Sequence, residues 1–253
     1  MYQSQRERRQ KLILRSLYKI KSFEGVTVLK RMIIDLFYKI YNVTKNYCTK
    51  IWTKKLRRRL KNSDFTLITN NCIGGIIYHD LGCRFDSPTI NLFIKTDDYL
   101  WFVKNIEYYS KCELRDVTEN FECNYPVGEL VSNDSERPSI NIHFQHYETF
   151  ELARKTWKKR FARVHYDNMF FVMEFYDDIY DVELLYEFDK LPCRKIALTH
   201  RPFGDVANAV SFNFYNGKQD IGKILKYKGI TGKRYLDEWD YVSWLNQDTS
   251  VSN

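Results

Sequence analysis

Asp64-Phe65-Thr66-Leu67-Ile68-Thr69-Asn70-Asn71-Cys72-Ile73-Gly74-Gly75-Ile76-Ile77-Tyr78-His79-Asp80-Leu81-Gly82 is the stretch that decides the fold. Its first part reads as a short buried strand, its middle as a turn followed by two glycines, and its last part as a short helix. Such a strand-to-helix junction is where open α/β sheets place their ligands, and this one gathers two amides, a thiol and an imidazole.

Working outward, apolar runs alternate with helical patterns from residue 64 onward. Strands are predicted at Phe65–Thr69, Thr89–Ile94, Glu113–Val117, Ser139–Phe144, Met169–Phe175 and Lys195–Thr199, with helices near Ile73–Leu81, Asp97–Tyr109, Thr149–Val164 and Asp178–Asp189. This order predicts an α/β fold: a three-layer domain with a mostly parallel or mixed sheet. The tail beyond Arg201 is less regular and ends in a short helix near Tyr235–Leu245. No internal repeat is visible, which excludes a hexapeptide β-helix.

Charge divides the chain. Residues 1–61 hold 18 Lys and Arg against Glu7, Glu24 and Asp35, whereas the remainder is mildly acidic, and the whole carries +8. We therefore expect a basic amphipathic helical appendage over 1–61 and the α/β domain over 62–253. Leu29, Ile33, Leu36, Ile40, Tyr47 and Ile51 recur at helical spacing in the appendage, which predicts one or two helices broken near Gly25. Lysines opposite such an aromatic-rich face suit an anionic membrane surface, and a face packed on its own domain or on a partner remains open. The acidic body and the absence of any RNA or DNA module argue against nucleic acid. No apolar run is long enough to span a bilayer, and Arg15 and Lys19 interrupt the only signal-like region, so a cytoplasmic location is expected, peripheral to the inner membrane face if the appendage docks there. Six cysteines without CxxC or zinc spacing predict reduced thiols and no metal site.

Three constellations carry candidate chemistry. At the junction, Asn70, Asn71, Gly74 and Gly75 offer amides to a phosphate or an oxyanion, His79 lies on the helix, and Cys72 at a helix N-terminus is a candidate nucleophile with a lowered pKa. An inert buried cysteine is the plainer reading. In Ile140-Asn141-Ile142-His143-Phe144-Gln145-His146-Tyr147, alternation places His143 on a strand face and His146 past the strand's end, where a general base would sit. His79 and His165 lie on helical or turn segments and rank lower, whereas His200, before Arg201-Pro202, sits at a strand end and stays a candidate. Along Trp157–Asn168, Arg160 and Arg163 lie three apart at a helix end and suit a phosphate or carboxylate, while Asp167 and Asn168 lie where a loop meets the sheet. Asp97-Asp98 and Asp177-Asp178 read as helix-start residues rather than metal ligands.

The blocks Asn-Asn-Cys-x-Gly-Gly-x-x-Tyr-His-Asp-Leu-Gly at 70–82, Ser87–Leu92, Tyr125-Pro126-Val127-Gly128, His143–Tyr147, Trp157-x-x-Arg160-x-x-Arg163 with Asp167-Asn168, and Phe188-Asp189-x-Leu191-Pro192 occur in one order. Together they resemble the bacterial family catalogued as domain of unknown function 1919, over about residues 64–200 and without the basic appendage. The resemblance implies a role in exopolysaccharide or capsule biosynthesis. The corresponding expectation is a transferase with His146 as base, Cys72 as optional acceptor and Asp167, Asn168 and Arg160 orienting the sugar or donor phosphate. The donor is acyl-CoA, or alternatively a nucleotide sugar, with no tightly bound cofactor; the acceptor is a sugar or lipid-linked saccharide. A glycosyltransferase and a non-catalytic assembly module remain the alternatives, and the sequence gives no oligomeric state.

Overall fold

The computed structural model describes residues 24–176, 181–212 and 223–247. Its first half runs α1 (Glu24–Arg59), β1 (Thr66–Thr69), α2 (Ile73–Leu81), α3 (Thr96–Lys104), α4 (Ile106–Tyr109), β2 (Glu113–Asp116), β3 (Val127–Val131) and β4 (Ile140–His143). The second half runs α5 (Phe150–Phe161), β5 (Met169–Phe175), α6 (Val182–Asp189), β6 (Lys195–Thr199), β7 (Ala209–Ser211) and α7 (Tyr241–Leu245).

The class is mixed α/β, with the strands divided between two sheets. One is parallel in the order β1-β5-β6-β7, and the other is an antiparallel meander, β2-β3-β4. The predicted strands at 113–117 and 139–144 belong to the meander, whose middle strand β3 has no counterpart among the expected strands. The expected strand Thr89–Ile94 is instead a turn and bend through Asn91, whose φ is 65°, followed by a single bridge, Phe93 to His143. The predicted helix 97–109 breaks at Asn105 into α3 and α4.

Alternation along the parallel strands explains the layering. Ile68, Phe171, Met173 and Ala197 enter one core with residues of α3 to α6, while Leu67, Phe170, Val172 and Leu198 enter a second core with α2, α7 and Leu56. The outer edge of β1 is closed by side chains rather than by another strand. Tyr78 Oη accepts from Leu67 N–H at 2.9 Å and donates to Phe65 O at 3.1 Å, and Thr89 Oγ1 accepts from Thr69 N–H at 3.0 Å.

The chain separates into two compact units, Met1–Tyr47 and Cys48–Asn253. The boundary falls inside α1, not at the charge boundary after residue 61. The last turns of α1, though strongly basic, are built into the second unit. Leu56 is buried, Arg57 donates to the carbonyls of His79 and Asp80, and Arg59 pairs with Asp240. The helix is also continuous over its 36 residues, with no glycine or proline after Gly25 to break it. Residues 1–23 and Asp177-Asp178 lie outside the described residues. Among the described residues no helix is long and apolar enough to cross a membrane.

Candidate functional site

From β1 the chain passes through α2 to the segment Asp86–Ile94, which lies along one side of β1. It returns, after the meander and α5, to β5 on the other side. The carboxyl ends of β1 and β5, from which α2 and α6 pack on opposite faces of the sheet, are therefore the topological switch point, where sheets of this class place a ligand crevice. Asn70 and Asn71 leave β1 at that point, Glu174 is the last residue but one of β5, and Tyr176 follows the strand.

The two asparagines act differently. Asn70 clamps the main chain of the neighbouring strand: its Nδ2 donates to Glu174 O and its Oδ1 accepts from Glu174 N–H, both at 3.0 Å. Asn71 reaches the carboxylate, with Nδ2 to Glu174 Oε2 at 2.5 Å, and its Oδ1 accepts from Ile73 N–H at 3.0 Å. Glu174 is 1 % exposed, an acid buried at the end of an otherwise apolar strand. A buried carboxylate needs partners to remain in place, and Asn71 is one of them. His200 immediately follows β6, the strand that pairs with β5. The ring is buried and meets Tyr176 edge-on, with centroids 4.7 Å apart. In β5, Glu174 lies on the same face as Phe170 and Val172, which pack with α2, so the acid points toward the helix that starts at Cys72.

The cradle expected at Asn70–Gly75 is largely satisfied from within. Ile73 N–H is taken by Asn71 Oδ1, and Gly74 N–H by Thr69 Oγ1 at 3.3 Å. Gly74 serves close packing, since a Cβ there would lie 2.8 Å from Thr69 Oγ1; one at Gly75 would meet Ile90 at 3.2 Å. The argument for a lowered Cys72 pKa also reverses. Burial, followed by the charge of Glu174, pushes the thiol up to about 11, so it stays protonated at neutral pH.

The other expected residues lie elsewhere. His146 is exposed in the turn after β4, and among the described residues its ring has no hydrogen bond. His143 is the histidine tied to the junction through the backbone: Ile94 N–H donates to Asn70 O at 2.9 Å, and Phe93 exchanges hydrogen bonds with His143 at 2.8 Å. Its ring is buried among Phe93, Phe121 and Tyr125, both nitrogens lack a hydrogen-bond partner among the described residues, and burial followed by the charge of Lys95 lowers its pKa, which favours the neutral ring.

Arg160 and Arg163 are engaged internally. Arg160 Nη1 donates to Ile90 O at 2.9 Å and to Tyr147 Oη at 2.7 Å, while Arg163 binds Asp86 Oδ1 at 2.8 Å and Phe85 O at 2.5 Å. Asp86 is bonded through its carbonyl to Thr66, so Arg163 marks the amino end of β1. Asp167 and Asn168 immediately precede β5, and Asn168 Nδ2 donates to Asn62 Oδ1 and Asp64 O, which fixes them at the same amino end. His79, at the far end of α2, lines an open cleft of about 510 Å³ with Thr49, Lys50, Thr53, Lys54 and Arg57. Thr66 and Asn70 are four residues apart, about 13 Å along a strand, so the expected cluster divides between the two ends of the sheet.

Glu174 went unnoticed in the sequence, although a single acid in Met169-Phe170-Phe171-Val172-Met173-Glu174-Phe175 is itself a signal. A charge in a strand that must be buried on both faces is costly, and it survives where it has a role or a partner.

A family model described as domain of unknown function DUF1919 matches residues 43–246. The chain belongs to this family. The DUF1919 match takes in the last turns of α1, both sheets and α7, and it begins close to the start of the second compact unit. An uncharacterized protein of Haemophilus influenzae is 34 % identical over 194 residues, which covers 76 % of this chain and 89 % of that protein.

Proposed function

We propose that this DUF1919 protein is a transferase of bacterial surface polysaccharide assembly that moves a group, in the first instance an acyl group, onto a sugar hydroxyl. The observation that carries this reading is the buried Glu174 carboxylate held by Asn71 at the switch point, with His200 at the carboxyl end of the next strand. A sugar hydroxyl placed there attacks the acyl carbon of an acyl-CoA as its proton passes to the His200 imidazole; the C–S bond then breaks, and the leaving CoA thiolate takes that proton back from the imidazolium. Asn70 holds β1 and β5 in register so that the carboxylate and the imidazole keep their spacing. Transfer is direct: with a protonated Cys72, no covalent acyl-enzyme is required. His200 thus takes the base role expected of His146.

Nucleotide-sugar chemistry is the second reading, favoured by the same crevice, since switch points of parallel sheets also bind nucleotides. Thermal shifts separate the two. Acetyl-CoA raising Tm in the wild-type protein but not in Glu174→Gln or His200→Ala supports acyl transfer; a shift with a nucleotide sugar alone selects the second reading. If neither donor shifts Tm, and all three proteins equally restore polysaccharide in a deletion strain, the crevice is not an active centre.

A further inference from the structure

α1 carries a continuous run of exposed apolar side chains: Met32, Ile33, Leu36, Phe37, Ile40, Val43 and Tyr47, with exposures from 44 to 69 %. A monomer has no reason to keep this stripe in water, and its spacing identifies what covers it. Ile33, Leu36, Ile40, Val43 and Tyr47 alternate steps of three and four residues, and in the sequence the pattern extends back through Leu29 to Val26. This is the period of 3.5 that keeps a seam facing a partner helix in a left-handed supercoil. Residue types are sorted along it. Val26, Ile33, Ile40 and Tyr47 fall at the a positions, and Leu29, Leu36 and Val43 at the d positions. β-Branched residues at a with leucine at d are the signature of two parallel strands.

The flanking positions fit the same arrangement. In a parallel pair each g residue faces the e residue five places on in the partner. That sets Met32 against Phe37, Lys39 against Thr44 and Asn46 against Ile51. No like charges oppose each other, and the exposed Met32 and Phe37 bury one another. The seam ends where Lys50 occupies the next d position, just past the boundary at Tyr47 between the two compact units. On the opposite side of the helix Ile34, Tyr38 and Lys45 are already half-buried, which leaves the apolar stripe as the available face.

We infer that residues 26–47 form a parallel two-stranded coiled coil with a second copy of this chain, about 33 Å long at 1.5 Å per residue. The coiled coil joins two bodies through their amino-terminal helices and is independent of the chemistry at the switch point. The test is the mass of the full chain in solution, measured by light scattering after size exclusion. The wild type is expected at twice 30.6 kDa. Ile33→Asp/Ile40→Asp is expected at a single mass with an unchanged body melting transition, and Lys39→Glu at twice the mass. Leu36→Cys under a glutathione redox buffer is expected to give a covalent dimer beyond any formed by the wild type, because parallel strands bring equal d positions together. A wild-type monomer overturns the inference, whether residues 1–23 of its own chain cover the stripe or the monomer co-sediments with vesicles of three parts phosphatidylcholine to one part phosphatidylglycerol. A trimer or larger assembly overturns the two-stranded assignment, and a dimer that Leu36→Cys does not cross-link overturns the parallel one.

Discussion

At the scale of single residues, environment overrides type. Cys72 has the position of a reactive thiol and the surroundings of an inert one, because burial, and after it the charge of Glu174, opposes a thiolate there. Asp98 shows the same principle. It lies in the first turn of α3, as a helix-start reading requires, but its Oδ2 accepts from Asn141 N–H at 3.2 Å, and burial pushes its carboxyl from 3.8 to about 6. A folded-state pKa above the unfolded one means that the folded protein binds the extra proton. The contribution to stability is therefore full below about pH 4 and is lost as pH rises through about 6, at a cost on the order of 2 kcal/mol after allowing for partial exposure. Asp98→Asn keeps an acceptor for Asn141 without the charge. It is expected to melt higher than wild type at pH 8 and equally at pH 4, which differential scanning calorimetry at the two pH values checks.

Among the elements, the junction is where sequence and structure agree best. The helix predicted at Ile73–Leu81 has those ends in the structure, and β1 ends at Thr69 as expected. Both were legible because the signals are local: a short apolar run, polar turn residues, then apolar residues at helical spacing. The glycines were legible as a close approach, but what approaches is Thr69 rather than a ligand. Gly74→Ala is expected to force Thr69 aside and break its bond to the residue 74 amide, costing about 1–3 kcal/mol in urea denaturation. A cost below about 0.5 kcal/mol would mean that α2 can shift outward, and that the space above Gly74 is open to a ligand after all. β3 escapes a periodicity reading because a glycine inside a short strand interrupts its apolar pattern. In the meander Gly128 is demanded by the Leu114 and Phe150 side chains, which leave no room for a Cβ.

Across the whole molecule, the charge boundary and the folding boundary differ by more than a dozen residues. Removing residues 1–42 is expected to leave a body whose Tm stays within a few degrees of the full chain. Removing residues 1–61 also takes Leu56, Arg57 and Arg59, and is expected to abolish cooperative melting or lower Tm by more than 10 °C, at roughly 2–5 kcal/mol for the buried leucine alone. Circular dichroism melts of the two truncations test this, and equal stability would return the boundary to residue 61.

By itself the sequence determined the α/β class, the strand–turn–helix junction and the helical character of the region before the body, which follow from periodicity and local residue types, and the family, which follows from the resemblance of its ordered motif blocks. Only the tertiary structure decided which of the singled-out residues meet. Strands of a parallel sheet share one direction, so residues that follow a strand and residues that precede one lie at opposite ends. Asn70–Cys72 follow β1, Asp167-Asn168 precede β5, and β4, which brings the histidines, belongs to a different sheet. Register and pairing join residues about a hundred positions apart, such as Asn71 and Glu174, and no local pattern encodes that contact.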